Sequence, residues 1–103
     1  MIKHIVMFKL LDFEEIEKKH HLLKHQNELN QLPSLIDVIR FYEVGINCLK
    51  SDRSYDIVIV AEFESLNALS IYSEHPEHKR VVKYIRSIAH PSVVVDYETS
   101  LRA

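Results

Sequence analysis

The sequence predicts an α+β fold of order β-α-β-β-α-β, a four-stranded antiparallel sheet with its helices on one face, the second helix being broken. Three observations carry this. Short runs of β-branched and aromatic residues alternate with longer charged stretches of helical period. His75-Pro76 interrupts the second helical stretch, because proline disfavours helical geometry in the residue before it. Finally, IVMF (5–8), IVIV (57–60) and VVV (93–95) are apolar at successive positions, hence on both faces of their strands. Helices cover only one side of such a sheet. The other side is expected to meet a second copy of the chain, two facing sheets forming a dimeric barrel-like core.

The elements follow in order. IKHIVMFKL (2–10) is β-branched, apolar and too short for a convincing helix, so it reads as the first strand. From Asp12 the composition changes: DFEEIEKKHHLLKHQNELNQL places Ile16, Leu22, Leu23, Leu29 and Leu32 among charges. Asp12 reads as its N-cap, Glu14 and Glu15 suit the positive end of the dipole, and Pro33 is expected to stop a helix of about five turns. SLIDVIRFYEVGINCL (34–49) alternates and reads as strand, with Gly45, the only glycine, marking a bend or bulge. LKSDRS is a polar turn and YDIVIVAEFES (55–65) the third strand. Residues 66–74 and 77–88 are two helical pieces, and PSVVVDYE (91–98) is the last strand.

A chain of 103 residues fits one domain, 1–103, and a domain of this size buries only roughly two-thirds of its unfolded surface, which favours a partner subunit. A net charge of −2 and a pI near 6.4, with no long basic run, exclude nucleic acid as the expected partner. No apolar stretch approaches the roughly 20 residues that span a bilayer, and no signal-peptide pattern opens the chain. Cys48 is the only cysteine, so no intrachain disulfide, zinc ribbon or cysteine-pair redox motif exists. A cytoplasmic protein is expected, with no membrane partner. One glycine cannot build a phosphate loop, and no serine sits in a nucleophile elbow.

The chemistry-bearing residues gather around IYSEHPEHKRVV (71–82). On a structural reading, Pro76 simply opens a helix, with Glu77 at the dipole's positive end, Tyr72 in the core and His78 at the surface. The functional reading starts from Asp96, which follows three valines in the last strand and needs a donor if buried. Its candidate partners are His78 and His4. If Asp96 accepts a proton from one ring nitrogen of His78, the other nitrogen can act as a general base. Tyr72 would then offer a hydroxyl to a carbonyl or developing enolate oxygen. His4, Val6 and Phe8 share one side of the first strand. His21 and His25, four apart on the first helix, could share a metal, but no third ligand is evident. No metal and no cofactor are predicted.

KHIVMFKL, YDIVIVAEFESLNALSIYSEHPEHKRVV and VVVDYE, in that order, resemble the stress-responsive dimeric α/β-barrel (Dabb) family over nearly the whole chain. The resemblance implies a ferredoxin-like fold and a homodimer whose sheets pack together. It also implies, from a polyketide cyclase of that family, aldol-type closure by a histidine and a tyrosine in a cavity between helices and sheet. Its catalytic histidine falls on His78, its tyrosine on Tyr72, the orienting aspartate on Asp96 and the first-strand histidine on His4. Its pocket-lining aromatic positions fall on His21 and His25, polar residues that suit a long alkyl chain poorly.

The expected catalytic set is therefore His78, Tyr72 and Asp96. The expected ligand-binding residues are His4, Val6, Phe8, His21, His25 and His75, and the ligand is a small carbonyl-containing metabolite handled by lyase or cyclase chemistry. A non-catalytic stress-associated dimer is the alternative. A cofactor-independent monooxygenase or haem-degrading enzyme is a further one, weakened by the absence of tryptophan.

Overall fold

A computed structural model describes residues 1–99; the last four residues of the expected domain lie outside the described residues. The elements run β1 (Ile2–Phe8), α1 (Glu15–Asn30), α2 (Leu32–Leu35), β2 (Phe41–Ile46), β3 (Ile57–Phe63), α3 (Leu66–Glu74), α4 (Pro76–Ile88) and β4 (Val93–Glu98). The four strands form one antiparallel ferredoxin-like sheet of order β2-β3-β1-β4.

β3 shows how the pattern becomes a layer. Ile57, Ile59, Ala61 and Phe63 are buried under the helices, while Val58, Val60 and Glu62 face the other way. The register carries that division across the sheet. Tyr42, Ala61, His4 and Asp96 form one transverse row on the helical side, and Glu43, Val60, Ile5 and Val95 form the next row on the outer side. On that outer face Met7, Phe41, Val93, Val95 and Tyr97 are exposed, an apolar surface that the chain's own helices do not cover.

Several local expectations are corrected. The cap of α1 is Glu14, with no side-chain hydrogen bond, so Asp12 does not cap it. Pro33 does not stop α1, which ends at Asn30; it sits in the first turn of α2, where its missing N–H costs nothing. Strand β2 is therefore confined to 41–46, its expected N-terminal part being used by α2 and the turn after it. Gly45 pairs in regular register with Val58 and makes no bulge. Its small size has another reason: a Cβ there would lie 3.2 Å from Val58 Cγ1. Within α1, Ile16 and Leu23 point to solvent, and Leu22, His25 and Leu29 form the inward stripe.

Asp56 fastens the sheet to α1. Its Oδ2 accepts from the Leu10 N–H at 2.8 Å, its Oδ1 lies 3.0 Å from Lys18 Nζ, and its own N–H donates to the Phe8 carbonyl.

Candidate functional site

The break between α3 and α4 is where the site is built. In a continuous helix the Glu77 N–H would donate to the Ser73 carbonyl. Pro76 turns His75 to extended geometry (φ −65°, ψ 136°), and that bond is lost. Two imidazoles replace it. His75 Nδ1 accepts from the Glu77 N–H at 3.1 Å, capping α4, and the Ser73 carbonyl accepts from His78 Nδ1 at 3.1 Å. The carbonyl above the proline is satisfied too, since the His75 N–H donates to Tyr72 O.

Because a carbonyl only accepts, this bond puts the His78 proton on Nδ1 and leaves Nε2 as the bare nitrogen. Burial holds the His78 pKa below its ordinary value, opposed by the Ser73 carbonyl and assisted by electrostatic contributions from the neighbouring His4, Arg86 and His75 side chains. Asp96 does not orient His78. It accepts from His4 Nδ1, because His4 and Asp96 stand directly opposite each other on adjacent strands with side chains on the same face. A carbonyl thus does for His78 what the sequence reading assigned to a carboxylate.

Tyr72, from α3, is buried and reaches both Tyr42 and His4 of the transverse row. Its ring meets His78 at 4.3 Å, Phe63 at 5.0 Å and His4 at 6.0 Å between centroids. Its hydroxyl pairs with the Tyr42 hydroxyl on β2 at 2.9 Å. Burial pushes the Tyr72 phenol up to about 12, with the Tyr42 hydrogen bond acting against that rise. Burial pushes the Tyr42 phenol up as well, so both hydroxyls stay protonated and either can donate in the pair.

Beneath α4 a cavity of about 500 Å³ is lined by His4, Val6, Phe8, Tyr72 and His78, with Ile59, Val82, Ile85 and Arg86 completing much of its wall. That volume is within the range of small-molecule sites. Of the expected ligand-binding residues, His4, Val6 and Phe8 border it; His21, His25 and His75 do not. His75 is engaged as the helix cap. His21 packs on the Phe13 ring at 4.6 Å, and His25 lies between α1 and α4 against Tyr84 at 4.5 Å. Helical phase explains the error, since His25 shares a stripe with Leu22 and Leu29 and is packed as core. Both His25 ring nitrogens are sealed without a partner, and burial lowers its pKa. Among the described residues no group of three potential ligands converges on a metal position.

Sequence reasoning missed Tyr42 and Arg86. Tyr42 was legible only as one aromatic within an alternating strand. Arg86 lies eight residues after His78 on α4, about 80° round the helix from it, at the edge of the face that borders the cavity.

Residues 2–99 match the sequence profile of the Stress Responsive A/B Barrel Domain, Dabb. The stress-response A/B barrel domain-containing protein DABB1 of Arabidopsis thaliana is 31% identical over 94% of this chain, which spans 46% of that protein's length. Olivetolic acid cyclase of Cannabis sativa is 24% identical over 93% of the chain and 94% of its own length. A crystal structure of a dimeric protein of unknown function with a ferredoxin-like fold, from Bacteroides fragilis, superposes with a TM-score of 0.83 at 34% identity, covering 95% of each chain.

Proposed function

The chain belongs to the stress-responsive A/B barrel domain family, and from that premise we propose that it acts as a homodimer in which each subunit binds a small carbonyl-containing metabolite, with His78 as general base for aldol- or lyase-type chemistry. The observation that carries this reading is the state of His78. One ring nitrogen is tied to the Ser73 carbonyl, burial disfavours the charged form, and the ring borders a cavity large enough for a small molecule. A neutral imidazole with a bare Nε2 can take a proton from the carbon next to a carbonyl, giving an enolate. Tyr72 contributes its ring to the cavity wall, and its hydroxyl proton is free for an enolate oxygen when Tyr42 is the donor of their shared bond. His4, held by Asp96, approaches from the sheet side.

Self-association is supported by the uncovered outer face of the sheet and by the dimeric description of the Bacteroides fragilis relative. The exposed, unpaired Cys48 thiol is consistent with a reducing compartment, and the reading places the protein in the cytoplasm.

The test uses methyl levulinate, a neutral ketone ester, in deuterated buffer. The wild-type protein is expected to bind it, and to exchange the protons beside the ketone faster than buffer alone. His78→Ala is expected to lose the exchange while remaining folded. The second reading, a non-catalytic dimer, is favoured by the use of both His75 and His78 to mend the helix break. Since His78→Ala loses the Ser73 bond under either reading, a lower melting temperature does not separate them. Absence of both exchange and binding in the wild type overturns the catalytic reading.

A further inference from the structure

Alongside the cavity, between α3 and α4, a groove continues from it. It shares Ser73, His78, Val82 and Arg86 with the cavity wall and adds Glu74, Lys79 and Lys83. Its charge is one-sided. Glu74 is its one acid and is occupied by Lys79, their charged atoms 2.9 Å apart. Among the described residues Lys83 and Arg86 have no ion pair, and both are exposed. A guanidinium on the wall common to both spaces, with an ammonium three residues before it, is a receptor for an anion at the mouth of an otherwise largely apolar cavity.

The spacing sets the size of what would fit. Arg86 is eight residues beyond His78, about 12 Å along the helix axis. Both side chains lean toward the N-terminus, and the longer arginine leans further, so the guanidinium sits closer to the imidazole than that axial rise. The influence of Arg86 on His78 agrees with that approach.

We infer that the cavity selects carbonyl compounds bearing a carboxylate, short keto acids, with the carboxylate held by Arg86 and Lys83 at the mouth and the ketone beside His78. This rests on the carbonyl reading of the cavity and adds the charge of the ligand. Guanidinium pairing to a carboxylate is bidentate and planar, so Arg86 provides orientation as well as attraction. Lys83 supplies a second, more mobile positive charge.

The experiment compares levulinate with methyl levulinate by NMR titration of the full chain, for the wild type and for Arg86→Gln. The acid is expected to bind the wild type at least about tenfold more tightly than the ester, a preference lost in Arg86→Gln and reduced by salt. The ester's affinity in each protein is the reference against which the acid's preference is read, and the NMR spectrum of Arg86→Gln checks that it is folded. Equal binding of acid and ester to the wild type overturns the inference and leaves the carbonyl reading standing. An acid preference that survives in both Arg86→Gln and Lys83→Gln overturns the assignment to this mouth. Failure of both compounds to bind overturns the inference together with the reading beneath it.

Discussion

The Tyr42–Tyr72 hydroxyl pair can be weighed by a double-mutant cycle. Tyr72 is 1% exposed, and Tyr42 is the partner that its hydroxyl meets, at 2.9 Å. Tyr42→Phe keeps the ring and strands the Tyr72 hydroxyl in a buried place, at a cost of about 1–3 kcal/mol. Tyr72→Phe strands the Tyr42 hydroxyl instead, and because the Tyr42 side chain as a whole is only partly buried, a cost at the low end of that range, about 1 kcal/mol, is expected. In the double variant neither hydroxyl remains to be desolvated, and the loss should be about 1 kcal/mol or less. The singles therefore overestimate the double, and the coupling should be roughly 1–3 kcal/mol. Urea unfolding at one fixed protein concentration measures each corner, since concentration sets the stability of an associating chain. Additivity within about 0.5 kcal/mol would refute the argument, because it would mean that the Tyr72 hydroxyl has a second partner on the cavity side.

Two further outcomes are expected. Val95 is 60% exposed on the outer sheet face, so Val95→Glu should change the stability of an isolated subunit by no more than about 0.5 kcal/mol. Loss of the dimer in sedimentation equilibrium is expected all the same; a dimer of undiminished affinity would show that this face is not the interface. For His25, burial holds the folded pKa below the unfolded value of 6.5, so only about one unit or more above pH 6.5 is the residue neutral in both states and without slope. As pH falls below 6.5 the unfolded chain takes up a proton that folded His25 resists, and stability falls. His25→Phe should flatten part of this decline in melting temperature between about pH 5 and 7.5, and add about 1 kcal/mol by removing two unpartnered nitrogens. An unchanged pH slope would disprove that assignment.

The number and order of the strands were legible because their β-branched runs are short and bounded by turn residues, although the second was expected over 34–49 and occupies only 41–46; their two-sided apolarity foretold the bare outer face now seen at Met7, Val93 and Val95. The helix break was legible because Pro76 acts locally. What failed depends on register or phase. Whether Asp96 meets His4 or His78 is decided by which strand lies beside β4 and at what offset, and neither is written in local composition. The same holds for Tyr42, whose partner is 30 residues away on another element. His21 and His25 were misplaced because a helix turns by 3.6 residues while a charged, His-rich stretch gives no clear apolar face from which to phase it.

The polar groups of the helical face close into pairs, and that closure gives the remaining nitrogen its meaning. Tyr42 binds Tyr72, Asp96 binds His4, Ser73 O binds His78, and Glu77 N binds His75, each within a layer otherwise built of Ile, Val, Leu and Phe. A layer needed only for packing would gain as much stability from apolar side chains in that row, without the risk of leaving a polar atom stranded. His25 shows what a histidine looks like when it is packed as core, with both nitrogens sealed. His78 differs, because its ring borders the cavity with one nitrogen engaged by a carbonyl and the other uncommitted. That asymmetry is the physical basis for proposing His78, rather than His25 or His75, as the group that would move a proton.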